Sequence, residues 1–204
     1  DLLLEYLKQI GIKSGSEMRV VIFSERVATL SWLRENLTRD LKMSAEQIEV
    51  LHGGLTDVDQ QRVVESFKQS SSKIRVLVTG DVASEGVNLH SQCHELVHFD
   101  IPWSLIRIEQ RNGRIDRYGQ THPPRITTLL VNPSHPKFSG DVKVLTKLLE
   151  REHEAHATLG DTASIMGKYD ADAEEKAIME ALARGDADEV VPTVQDAMAG
   201  GDSI

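Results

Sequence analysis

Arg111, Arg114 and Arg117 stand three residues apart inside the segment Gln110–Gln120, QRNGRIDRYGQ. In a helix that spacing lines three guanidiniums along one face. A solvated helix normally pairs its arginines with acids three or four residues away. Here Glu109 and Asp116 are the nearby acids. A guanidinium fork matches phosphate oxygens with two parallel hydrogen bonds, and a positioned arginine stabilises a phosphoryl group in transfer. Two readings therefore stand side by side: a phosphate-facing strip, or a basic patch at a helix end held in salt bridges. A second segment, Val76–Leu89 (VLVTGDVASEGVNL), runs from an apolar stretch into Asp81, Glu85, Gly86 and Asn88. Gly86 permits a tight turn or the close approach of a ligand to the backbone.

These segments need a scaffold, and the apolar pattern supplies one. Leu2, Leu3, Leu4, Leu7 and Ile10 recur at helical spacing until Gly11 stops them. Short apolar runs at 19–23 (RVVIF), 48–51, 74–78 (IRVLV), 95–99 (ELVHF) and 125–131 (RITTLLV) read as strands. Between them lie helical patterns: one carried by Val27, Leu30, Leu33 and Leu37, one from Thr56 to about Gln69, and one from Ser104 to about Asn112. Trp32 shares the first pattern and reads as core packing, and Trp103 after Pro102 also reads as packing. A Pro-containing loop at 132–139 precedes a further helix at 141–157. Strands alternate with helices and are continuously apolar, which predicts a mainly parallel sheet covered on both faces, an α/β domain of three layers. Ligands of such sheets bind beyond the carboxyl ends of the strands. The informative loops are therefore Ser24–Arg26, His52–Gly54, Thr79–Asn88 and Asp100–Trp103.

The chain has 204 residues and a formal net charge of −9. Residues 161–204 alone carry −8, while 101–125 hold five arginines against two acids. The body is near neutral with one arginine-rich strip, and the tail is acidic. That balance argues against indiscriminate nucleic-acid binding and keeps a local contact open. Aromatics make up 4%, so stacking platforms for single strands are not expected to dominate. No apolar run has the ~18 residues of a membrane span. The single cysteine, Cys93, excludes an internal disulfide and fits a reducing compartment, hence a cytoplasmic location. An opening Asp1, with no basic leader, suggests a piece of a longer protein.

Taken together and in order, the segments resemble the C-terminal RecA-like lobe of superfamily 2 helicases, and most closely the Swi/Snf-type, RapA-like DNA-dependent ATPases. Val20–Glu25 (VVIFSE) looks like motif IV, Leu51–Leu55 (LHGGL) like motif IVa, Thr79–Leu89 like motif V, and Gln110–Arg117 (QxxGRxxR) like motif VI with the Gly119-Gln120 extension. His98–Trp103 (HFDIPW) is similar to the family's lead into motif VI. The resemblance covers about residues 1–157, with 158–204 as an acidic, partly helical extension. It implies that Arg114 and Arg117 are arginine fingers reaching the γ-phosphate of ATP, with Gln110 ordering them. It implies that Asp81, Glu85 and Gly86 lie by the nucleotide. Ser24, His52, Gly53, Gly54, Thr79 and Asn88 would face the nucleic-acid backbone. One position departs from the pattern: Gly80 stands where related motifs carry Thr or Ser before the Asp. Since a one-residue slip along a strand reverses facing, Thr79 is a doubtful substitute.

No G-x-x-x-x-G-K-[ST] loop occurs in the chain. Its partner would be an N-terminal RecA-like lobe of the same polypeptide, holding most of ATP and Mg²⁺. The whole would be a double-stranded-DNA translocase, and this piece alone would not hydrolyse ATP. The alternatives are the lobe of an RNA or DNA unwinding helicase, and a degenerate lobe that only binds nucleic acid or protein. No membrane role and no metal site are expected. His90, Cys93 and His94 lack a second ligand pair, and His153 and His156 lack zinc-protease spacing. Asp188–Val190 reads as solvated, and the acidic tail as a solvated face.

Overall fold

The computed structural model describes residues 2–81, 86–102 and 104–130, together with Asp172, Glu175, Lys176, Met179 and Glu180. The expectations for Glu85, Trp103, 131–157, His153, His156 and Asp188–Val190 lie outside the described residues. So does most of the acidic extension, of which the five described residues are helical.

The order is α1 (Leu2–Gln9), β1 (Val20–Phe23), α2 (Val27–Asp40), a short 3₁₀ turn at Ala45–Gln47, β2 (Ile48–Leu51), α3 (Asp57–Lys68), β3 (Val76–Thr79), β4 (Glu95–His98), α4 (Leu105–Asn112) and β5 (Arg125–Thr128). The five strands form one parallel sheet in the order β2-β3-β1-β4-β5. This is the expected α/β architecture. Alternate residues of the strands feed two cores. Val20, Ile22, Val76, Val78 and Val97 pack with Leu3, Leu7, Leu30, Leu33 and Leu37 from α1 and α2. Val21, Phe23, Leu77 and Leu96 pack on the other face with Val63, Val64 and Phe67 from α3. Burying each such side chain contributes roughly 1.5–3 kcal/mol.

Local chemistry sets the element ends. Gly11 turns the chain after α1 at a φ of +83°. The Thr56 side chain accepts from the Asp59 amide and caps α3. At the other end of α3, Arg19 is buried and donates to the Phe67, Gln69 and Ser70 carbonyls, with its guanidinium over the Phe67 ring. A helix leaves its last carbonyls without intrahelical donors, and this cation supplies them.

One expectation about the core is corrected. Trp32 is 55% exposed, its ring against Phe99 with centroids 6.4 Å apart. The buried stripe of α2 is Leu30, Leu33 and Leu37, and Trp32, two residues past Leu30, points away from it. Val27 lies outside the stripe too and is half exposed. Among the described residues no helix is long and apolar enough to cross a membrane.

By contact density the chain falls into two compact units, 1–101 with 110–129, and 102–109 with 130–204. The sheet and the site residues below belong to the first. In the second, the Ser104 side chain accepts from the Arg107 amide, and the Arg107 guanidinium pairs with Asp172 and lies 3.7 Å from Glu175.

Candidate functional site

From β1 the chain goes to β2, returns to β3, and then crosses to β4 on the other side of β1. This reversal brings the loops after β1, β3 and β4 together at the carboxyl end of the sheet, where α/β folds open a crevice. The centre of that end is a buried charge network. Arg111, at the end of α4, is 1% exposed. Its Nε and Nη2 donate to both oxygens of Asp81, at 2.6 and 2.8 Å. Its Nη1 donates to the Asp100 carbonyl at 2.9 Å and lies 3.4 Å from His98 Nδ1. The guanidinium also rests over the Phe23 ring, 5.3 Å from its centroid. Asp100 in turn accepts from the Ser24 hydroxyl and the Glu25 amide. His98 Nε2 donates to the Asn112 side-chain oxygen at 2.9 Å. Burial, and then the neighbouring Arg111 charge, outweigh Asn112 and Asp81 and push the His98 pKa down to about 4.

This network changes the reading of the arginine strip. α4 ends at Asn112, so Arg114 and Arg117 stand in the turns that follow and not on one helical face with Arg111. Arg111 is a buried structural cation. Arg114 is half-buried, and its carbonyl accepts from the Leu89 amide at 2.9 Å. Arg117 is exposed and donates to the Asn88 side-chain oxygen. The turns after α4 are thus joined to the segment 86–89, whose Gly86 adopts a φ of +71°. Gly119 closes the segment at a φ of +95°. Gln110 is exposed on α4.

The other expected positions divide by exposure. His52, Gly53 and Gly54 form an open loop after β2, in which the Gly54 amide donates to His52 Nδ1 at 3.0 Å. Ser24 is fully buried and donates its hydroxyl to Asp100. Thr79 is fully buried too, its hydroxyl donating to the Gly80 carbonyl. Asp81 engages Arg111 with both oxygens. Sequence reasoning missed His98 and Asp100 as network members. The signal available was their position, at and just after the end of a strand beside an arginine helix.

The exposed Arg117 guanidinium, held at Asn88, is of a kind that fits phosphate oxygens. Among the described residues no group of three His, Cys, Asp or Glu side chains could hold a metal ion. Cys93 is a free thiol, buried, and its pKa is pushed up to about 12 by that burial.

Residues 2–119 match the family model described as the helicase conserved C-terminal domain. The chain belongs to that family. This helicase C-terminal domain is 27% identical over 162 residues to the uncharacterized ATP-dependent helicase YqhH of Bacillus subtilis, an alignment covering 79% of the chain and 27% of that protein. It is 31% identical over 123 residues to the RNA polymerase-associated protein RapA of Yersinia enterocolitica, covering 60% of the chain and 12% of RapA. The chain therefore spans about a quarter of the first relative and an eighth of the second. In fold it is similar to the C-terminal part of the Fun30 ATPase domain, with a TM-score of 0.55, 23% identity, and coverage of 76% of this chain and 54% of that one. The fold is that of a RecA-like helicase C-terminal lobe.

Proposed function

We propose that this domain is the second motor lobe of a Swi/Snf-type ATPase that moves along double-stranded DNA. The observation that carries the reading is the join between two loops, in which Arg117 donates to Asn88 and the Arg114 carbonyl accepts from Leu89. Arg117 is thereby tied to Asn88, and the backbone at Arg114 to Leu89, two and three residues beyond Gly86. That is where a phosphate presented by a preceding lobe would meet them. Residues 1–157 form the lobe and 158–204 an acidic extension.

The preceding lobe of the same polypeptide would hold ATP and Mg²⁺, which supply the phosphoryl group and its charge neutralisation. Arg114 and Arg117 would stabilise charge on the transferring phosphate, with Gln110 and Gly86 lining the approach. Glu85 lies in the same segment. The open His52–Gly54 loop would offer the Gly53 amide to DNA phosphates, a contact that carries no sequence preference and suits a translocating motor. Loss of the γ-phosphate would remove the contact that favours the closed arrangement of lobes, and the lobe would shift. The likeness to RapA supports the Swi/Snf type, and the Gly119-Gln120 extension agrees with it. The protein would act in the cytoplasm.

The test is ATP hydrolysis by the full-length protein with duplex DNA, with single-stranded RNA, and with neither. Stimulation by duplex DNA is expected, with no turnover by the isolated 204-residue chain. Stimulation by RNA alone would replace the translocase with an unwinding helicase. No turnover in folded, ATP-binding protein would leave a binding module.

A further inference from the structure

Among the described residues, Arg111 has the largest of the fully buried side chains. A guanidinium is a costly group to place there, since apolar residues of similar volume fill such sites at no loss of stability. What the guanidinium provides is geometry. Its fork holds Asp81, the first residue beyond the Gly80 that follows β3, through two parallel hydrogen bonds. Its third nitrogen holds the Asp100 carbonyl after β4. The Asp100 carboxylate holds the turn Ser24–Glu25 after β1. Arg111 itself lies three and six residues before Arg114 and Arg117. Three strand-end loops and the arginine turns are thereby fastened to one planar group with fixed donor directions.

We infer that Arg111 is a positioning residue. Through Asp81 and Asp100 it locks the loops after β1, β3 and β4 to the segment carrying Arg114 and Arg117, so that contact on one loop sets the reach of the arginines. The inference rests on the motor reading above. It differs from a phosphate-binding role for Arg111, because a side chain sealed this completely has no face left for ligand. It differs from simple packing, because the three loops are tied by directional bonds to one group.

The test uses the full-length protein with Arg111→Lys, Asp81→Asn and the double variant. Lysine keeps the charge but cannot form the fork and the carbonyl bond together. Below the melting temperature of each variant, kcat with duplex DNA should fall by about a hundredfold, the cost of misplacing a catalytic group by an ångström. The KM for ATP and the Kd for duplex DNA should stay within about threefold, within the factor of ten that 1.4 kcal/mol represents. The double variant should lose no more than Arg111→Lys alone, since Asp81→Asn breaks only a contact that the lysine has already lost. Three results would overturn the inference: kcat near wild type in folded Arg111→Lys, KM and Kd worsening in step with kcat, or independent losses that multiply in the double variant. Should Arg111→Lys not fold, the kcat and KM of Asp81→Asn decide alone, by the same criteria. A wild type without nucleic-acid-dependent turnover would sink the motor reading itself, whereas a stimulated wild type beside an unaffected variant sinks only the positioning role.

Discussion

Lowering the pH should weaken the fold through His98 in a defined window. The side chain is 2% exposed and its pKa is pushed down to about 4, from an ordinary 6.5. The bonding explains the direction. Nε2 donates to Asn112 and Nδ1 faces Arg111 Nη1, so the neutral tautomer fits and a second ring proton would oppose a guanidinium. The unfolded chain takes up a proton near pH 6.5 and the folded one only near 4. The full stability is present above the unfolded value and is lost as pH falls from about 6.5 to 4. Two and a half pKa units correspond to about 3 kcal/mol in total, of which about 2 kcal/mol is gone by pH 5. Denaturant unfolding of wild type and His98→Gln at pH 8 and pH 5 isolates the effect, because titrations elsewhere are common to both. Wild type should lose about 2 kcal/mol more than the variant over that interval. An NMR titration of the His98 ring in the folded protein should show no midpoint near 6.5. A midpoint there, or equal pH slopes for the two proteins, would refute the sealed network.

Leu33→Ala should cost about 3 kcal/mol in urea unfolding, since Leu33 is 1% exposed, whereas Trp32→Ala on the same helix should cost under about 1 kcal/mol. Glu95 is fully buried and pairs with Arg125 and the Tyr6 hydroxyl, so Arg125→Ala should leave a buried carboxylate under-compensated. The expected loss is about 3 kcal/mol, read as a lowered denaturant midpoint, and a midpoint unchanged within error contradicts it. The Cys93 thiol, raised to about 12, should resist iodoacetamide at pH 8 in the folded protein and react within minutes in guanidinium.

The strands and helices were legible because a parallel sheet buried on both faces must be apolar throughout. The β1 to β4 segments lie within or beside the expected runs. β5 begins where expected, at Arg125, but its described residues are largely exposed, so its β-branched composition and not burial marked it. Trp32 misled because hydrophobicity alone does not fix the angle around a helix. The arginine strip misled for a different reason. Regular spacing predicts a shared face only while the helix lasts, and α4 ends after Arg111. The partners of Arg111 lie on loops 30 and 11 residues away in sequence, brought together by strand order, which no local pattern encodes. Ser24 and Thr79 sit at strand ends as read, yet strand-end position did not show that both side chains are buried, Ser24 on Asp100 and Thr79 on the Gly80 carbonyl. The His52–Gly54 loop was legible because two glycines directly after an apolar run mark a turn.

The central claim is that Arg114 acts on phosphate from this lobe. Its most direct test is ATP hydrolysis by the full-length Arg114→Ala protein with saturating duplex DNA, beside equilibrium binding of a fluorescent ATP analogue. The account predicts hydrolysis reduced by about a thousandfold or more, the scale of an arginine supplied to a phosphoryl transfer, with nucleotide affinity within about tenfold. Hydrolysis close to wild type in a folded, nucleotide-binding variant would contradict it.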